Sequence, residues 1–317
     1  MALIYTTGTI NQPDAGSVGL AMVNKIRDDL VAHEAWELVE EYTAGGGVVR
    51  WTVLKCLAAE SGMSEDFHLV IGRTLSTGEL RFAICEEYTA GSHTMAKYAQ
   101  ASGSVLYDAD GCSPSTYTLS TVVFPSTGAT PRYQSWTPSG TSTKWWIIAA
   151  DDGCTVAFNG ASNGFVHLGK YTPLTPSPIT FPIQMIGLST TGEITRNPAV
   201  AGINAVANAL HIEGSGGSAD SSALYQLGFM GDLRYNDKLQ DNQRSMAEAG
   251  MIIYSQGAPE NMAIFGYVLG KQNRMRVNSR GTPVGFAFGD AYAMNGTLWV
   301  PWKPDSGRIW DTGVASS

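Results

Sequence analysis

Three consecutive runs between positions 48 and 88 constrain this chain more than any other feature. The runs "VVRWTVLKCLA" (48–58), "FHLVIGRTL" (67–75) and "LRFAICEEY" (80–88) are rich in β-branched and aromatic residues. In the first, Val49, Trp51 and Val53 fall on one side, and the turn Ser76-Thr77-Gly78-Glu79 joins the second to the third. Side chains of a strand alternate between faces, so runs of this period joined by glycine turns pair as antiparallel strands.

A second hairpin follows from "TKWWIIAADDGCTVAFNG" (143–160). Its apolar runs, 145–150 and 155–158, flank a break at Asp151-Asp152-Gly153. On a strand, Trp145 and Trp146 must face opposite sides, one filling a core and the other meeting a second layer. That is a scaffold's arrangement, with its acids in the turn.

Ahead of the meander, Val18, Met22, Ile26, Leu30 and His33 recur at helical spacing, and Val23, Val31, Leu38 and Val39 widen the stripe. The spacing predicts an amphipathic helix from about Ala15 to Tyr42, started by Asp14 or Ser17 and ended by Gly45-Gly46-Gly47. Its apolar face can pack on the chain's own sheet or against a neighbouring subunit.

The segment 111–143 carries one charge, Arg132, among many Ser, Thr, Pro and Gly, yet keeps Tyr117, Val122, Val123, Phe124, Tyr133 and Trp136. It reads as a strand plus a long, ordered surface loop, because disordered segments are usually charged and poor in aromatics. The proline-rich "YTPLTPSPITFP" (171–182) reads as an extended linker, followed by a strand pair. Helical character is expected near 199–212 and 219–250, and strands with glycine turns thereafter. "EEYTAG" occurs at 40–45 and 86–91 without extending into its flanks, so no repeat architecture is read from it.

With 317 residues, two domains are the default. The expected fold is mainly β (α+β): antiparallel β-sandwich-like domains with a long N-terminal amphipathic helix. Its divisions are an N-terminal arm and helix (1–45), a β-rich domain (46–172), and a second α+β domain with a C-terminal β segment (173–317).

The charge balance is 20 basic against 28 acidic residues, net −8, and the densest basic group is Lys271, Arg274, Arg276 and Arg280. Direct nucleic-acid binding needs a concentrated basic face and is not expected. No apolar run approaches the roughly 18 residues that span a bilayer, so no membrane partner is expected. The N-terminal "MALIYTTGTINQPDAG" lacks the basic and apolar regions of a signal peptide, so export by the standard route is not expected either. Only 15% of residues are charged and 36 are glycine, which fits a neutral polar surface covered in part by other chains.

Candidate chemistry is sparse. "GFVHLGKY" (164–171) imitates a phosphate loop, but Tyr171 stands where Ser or Thr should hold magnesium and prolines follow where a helix should start. "GSGGSAD" (214–220) lacks dinucleotide-binding spacing, and "DADG" (108–111) has no Glu at the twelfth position of a calcium loop. The pairs Glu40-Glu41, Glu86-Glu87 and Asp151-Asp152 should point to opposite faces and so form no acid/base couple. His33, His68, His93, His167 and His211 show no metal-ligand spacing, and no G-x-S-x-G elbow occurs. A Cys–His pair brought together in space stays open. Cys56, Cys85, Cys112 and Cys154 form no CxxC; Cys56 and Cys85 read as small buried hydrophobes, with disulfides as the alternative. Trp51, Trp136, Trp145, Trp146, Trp299, Trp302 and Trp310 read as core or interface packing, with a sugar-binding face as the alternative. No catalytic, cofactor-binding or metal-binding residue is assigned. The residues assigned to packing or interfaces are Met22, Ile26, Leu30, Trp136, Trp145 and Trp146.

In order, the "W-x-V-x-K" strand at Trp51, the "KWWIIAADDGCTVAFNG" hairpin, "FVHLGKYTPLTPSPITFPI" with its Gly169, Tyr171 and Pro173, and the glycine-punctuated segment from Gly266 to Gly296 resemble virion structural proteins of tailed bacteriophages. The similar proteins sit around the neck, tail or baseplate. The resemblance implies a structural, non-enzymatic component without cofactors, located in the virion and assembled in the host cytoplasm. Its implied partners are other virion proteins and further copies of itself in a homo-oligomer. The alternative is a receptor- or glycan-binding module of the virion surface with the 111–143 segment as its face. A cell-wall or capsule hydrolase would need two carboxylates some 5 to 10 Å apart, and no motif argues for them.

Overall fold

The computed structural model describes residues 4–57, 66–98, 115–124, 131, 133–151, 153–160, 164–173, 183–188, 225–230, 246–255, 264–275, 288–289, 292–294, 297–301 and 308–315. Its elements in chain order are β1 (Ile4–Asn11), α1 (Ala15–Val31), β2 (Trp36–Thr43), β3 (Val49–Cys56), β4 (Phe67–Thr74), β5 (Leu80–Thr89), β6 (Thr94–Tyr98), β7 (Tyr117–Thr118), β8 (Gln134–Trp136), β9 (Ser142–Ala150) and β10 (Gly153–Gly160). They continue with β11 (Gly164–Pro173), β12 (Ile183–Leu188), β13 (Tyr225–Met230), β14 (Met246–Ser255), β15 (Ile264–Met275), β16 (Tyr292–Met294), β17 (Thr297–Pro301) and β18 (Arg308–Ala315). The chain is mainly β, and its strands pair antiparallel.

Seven strands make one sheet in the order β2-β3-β4-β5-β6-β7, with β8 on β5. This contains the expected meander: Val49 faces Thr74 across β3–β4, and Arg73 faces Leu80 across β4–β5. Eleven strands make the other, along β1-β9-β10-β11-β15-β18-β17-β16, with β12 on β11 and β13-β14 on β15. The β9–β10 hairpin pairs Ala150 with Gly153, as the Asp-Asp-Gly break predicts.

The helix is shorter than the spacing predicts. It ends at Val31, and the chain is already in β2 at Trp36. At the break, the His33 amide donates to the Leu30 carbonyl, and Trp36 closes a turn by donating to the carbonyl of His33. His33 Nδ1 then accepts the Ala35 amide at 3.2 Å. His33, placed on the helical stripe by its spacing, instead builds the turn that stops the helix. Leu38 and Val39 suit a strand as well as a helix, and pairing with β3 decides between them.

The helix starts where Asp14 accepts the Ser17 amide at 2.8 Å, which also holds its carboxyl below the usual range. Val18, Met22, Val23, Ile26 and Leu30 are buried in one core with Leu54, Phe67, Leu69, Ile71 and Phe82 of the seven-stranded sheet and Ile147, Val156 and Phe158 of the other. Gly19 lies against Gly78 in the β4–β5 turn, where a Cβ on Gly19 would come within 2.2 Å of the Gly78 carbonyl oxygen. Gly78 itself holds φ +70, a conformation that suits glycine. The helix thus rests on the turn that joins two meander strands.

The opposite face of the seven-stranded sheet has its own core, in which Val49, Trp51, Val53, Val70, Ala83, Cys85 and Tyr98 meet Leu119, Val123 and Phe124. The segment expected as a surface loop therefore puts apolar side chains onto the sheet; residues 111–114 and 125–130 lie outside the described residues. Two further expectations change. The region 219–250 includes the strands β13 and the start of β14, where "YQLGFM" alternates at period two and pairs with β14. The expected linker begins as strand, since β11 runs to Pro173. Residues 199–212 and the rest of that linker lie outside the described residues.

Candidate functional site

All six residues assigned to packing or interfaces are buried in one hydrophobic core cluster. The stripe of Met22, Ile26 and Leu30 is buried within the chain, leaving it unavailable to a neighbouring subunit. Trp145 and Trp146 face opposite sides, as strand alternation demands. The Lys25 ammonium of α1 lies 5.1 Å from the Trp145 ring centre, while the Trp146 ring lies 6.4 Å from Phe288. Trp51, Trp136, Trp145 and Trp146 are all buried, so the alternative of a sugar-binding face finds no exposed tryptophan among them. Cys56, Cys85 and Cys154 are buried and in no disulfide, and desolvation pushes the Cys154 thiol up to about 12. The disulfide alternative is thereby removed for these three; Cys112 lies outside the described residues. "GFVHLGKY" lies within β11, a strand where a phosphate loop would turn into a helix.

The adjacent glutamates of β2 separate as expected. Glu41 faces α1, accepting from Arg27 at 2.8 Å, Arg50 at 3.1 Å and Thr52 at 3.0 Å. Glu40 faces the other side, accepting from the Tyr88 hydroxyl at 2.7 Å and lying 3.1 Å from His93 Nδ1. The His93 ring stacks on Tyr42 at 3.7 Å, with its backbone at φ +55. Burial, foremost, and then the Glu40 hydrogen bond hold the Tyr88 phenol protonated well above its ordinary range. Glu86 and Glu87 are both reached by Lys97, at 2.8 and 3.2 Å, the first nearly buried and the second largely exposed. Lys97 itself adopts φ +50. Each of these four glutamates thus has a hydrogen-bonding or charged neighbour, whereas Asp152 lies outside the described residues. Among the described residues, no three His, Cys, Asp or Glu side chains lie close enough together to hold a metal ion, and no helix is long and apolar enough to cross a membrane.

His68 couples this region to pH. It is buried on β4, and its Nδ1–H donates to the Glu86 carbonyl oxygen at 3.0 Å. Burial, the largest influence, lowers its pKa from 6.5 to about 4, although the Glu86 bond opposes the change. The unfolded chain therefore takes up this proton first. The contribution of His68 is complete above about pH 6.5 and falls as pH drops towards 4, by about 2 to 3 kcal/mol. His68→Gln should flatten that slope in urea unfolding at pH 7 and pH 4.5. A slope equal to that of the wild type would remove His68 as its source.

The surface with the plainest capacity for association is a sheet edge. Among the described residues, β1 pairs with β9 alone. Its sequence, Ile4-Tyr5-Thr6-Thr7-Gly8-Thr9-Ile10-Asn11, contains no charge and no proline, and Thr7, Thr9 and Asn11 are exposed. The terminal strand of the other sheet is built oppositely. β2 carries Glu37, Glu40 and Glu41 and a bulge between Leu38 and Glu40. Charge and bulges blunt an edge against further pairing, whereas a neutral, regular edge offers its amides and carbonyls to another strand. The reading of residues 1–45 as arm and helix had no strand here, although "IYTTGTI" has the β-branched alternation of one.

No protein-family model and no curated protein matches the sequence.

Proposed function

We propose that this chain is a structural subunit of a tailed-bacteriophage particle, at the neck or collar, the tail or the baseplate. It works by assembly, joining other virion proteins and copies of itself. In this reading the two sheets enclose α1 as a β-sandwich-like body, and stiffness is its contribution to the particle. The observation that carries the reading is the uncharged eight-residue edge of β1, beside a second sheet whose terminal strand β2 is protected by charge. The resemblance of its motifs, in order, to phage neck, tail and baseplate proteins supports that location.

Light scattering across a concentration series tests it. The wild-type chain should form a discrete oligomer, and Thr9→Lys should return it to the monomer, since lysine on an exposed edge opposes strand addition. Thr9 is exposed and uninvolved in the core, so the variant keeps its fold. A wild type that stays monomeric throughout, or an unchanged oligomer in Thr9→Lys, would sink assembly through this edge.

A further inference from the structure

The seven-stranded sheet holds a cation that the networks above leave uncompensated. Arg73, next to the last residue of β4, lies directly across from Arg50 on β3. Only 6% of its surface is exposed. Its Nε and Nη1 are sealed from solvent and have no hydrogen-bond partner among the described residues; Nη2 is not among the sealed atoms. Burial, and then the facing Arg50 charge, lower its pKa, yet a guanidinium remains protonated at any physiological pH. Like charges directly opposed on neighbouring strands repel, and an uncompensated buried charge is strongly unfavourable. The neighbourhood does not relieve it. The inward carboxylate of Glu41 is shared by Arg27 and Arg50, and among the described residues Arg73 has no ion pair of its own. The other acid nearby, Asp28, binds Arg27 from a largely exposed position.

We propose that Arg50 and Arg73 form a binding site for a small oxyanion of the phosphate or sulfate type, entered from the Arg50 side. Guanidinium forks match pairs of oxygens on such an ion through two parallel hydrogen bonds. A tetrahedral ion offers a pair of oxygens to each of two forks, where a carboxylate has one pair, and it offsets the charge of Arg73 that Glu41 and Asp28 leave unpaired. Arg50 keeps 28% of its side chain exposed and marks the approach from solvent. Arg73 lies too deep for a macromolecular side chain, which selects a small free ion. This site is independent of the β1 edge.

The test is a titration of the full chain with inorganic phosphate at ionic strength held constant with chloride, read by calorimetry and by unfolding temperature. The wild type should bind saturably, with unfolding temperature rising alongside. Arg73→Met should lose the saturable heat, and in chloride alone should be at least as stable as wild type, because it removes an uncompensated buried charge. Arg50→Lys keeps the charge but not the fork and should weaken binding by about tenfold or more. Acetate, a monoanion, should bind wild type at least about tenfold more weakly than phosphate. No saturable heat in wild type overturns the site, as does equal affinity in Arg73→Met. Should that variant fail to fold, unchanged affinity in Arg50→Lys overturns it. Acetate binding as tightly as phosphate overturns the assignment to a phosphate- or sulfate-type ion.

Discussion

Trp136→Ala is expected to lower stability by about 4 kcal/mol, within the range for emptying a buried aromatic site. Trp136 is 1% exposed. Through its backbone it belongs to the seven-stranded sheet, because β8 pairs Trp136 with Leu80 of β5. Its ring belongs to the other sheet, stacked on Phe158 of β10 at 4.1 Å and 9° between planes. Gly164 leaves room for it, since a Cβ there would lie 2.7 Å from Trp136 Cδ1. The substitution therefore removes both core volume and a joint between sheets. Guanidinium unfolding followed by circular dichroism measures the loss, and Trp136→Phe should recover part of it. A loss below about 1 kcal/mol would mean that the sheets are held together elsewhere.

Gly19→Ala should destabilise by about 3 kcal/mol, against the expectation from helix propensity. Within an isolated helix, alanine is better than glycine by about 1 kcal/mol. Here the added Cβ would meet the Gly78 oxygen at 2.2 Å and the Gly78 Cα at 2.7 Å. Both are backbone atoms of a turn fixed by β4 and β5, so neither can swing away, and the helix must lift from its seat. Lifting it uncovers Val18, Met22 and Val23 together. Thermal and denaturant unfolding give the sign directly. A more stable Gly19→Ala would show that α1 stands clear of the β4–β5 turn.

How much of this was legible depended on how far apart the partners lie in the chain. β3, β4 and β5 pair with sequence neighbours, and the patterns at 48–58, 67–75 and 80–88 mark them closely. The β9–β10 hairpin is equally local, and the opposite facing of Trp145 and Trp146 follows from alternation alone. The helix was read too long because nothing in residues 32–42 breaks a helix by composition. Its end is built by His33 bonding its own backbone neighbourhood. β1 has strand character, but its partner is β9, a pairing that no local signal announces. For Arg73, a lone arginine inside the apolar run "FHLVIGRTL" is a visible anomaly. That it faces Arg50 and lacks a carboxylate depends on register and packing that alternation does not supply.

The pairing of β1 with β9 also dictates an order of events during synthesis. The meander from β2 to β6 lies within residues 36–98 and is closed by short connections, so it can form as soon as that stretch emerges. Ile4 must wait for Ala149, and Asn11 for Ser142, before the first strand has anywhere to pair. Throughout that interval the neutral strand β1 lacks its partner β9. It is then most at risk of annealing to another nascent copy on the same ribosome cluster. Translation speed through residues 99–150 sets how long that exposure lasts.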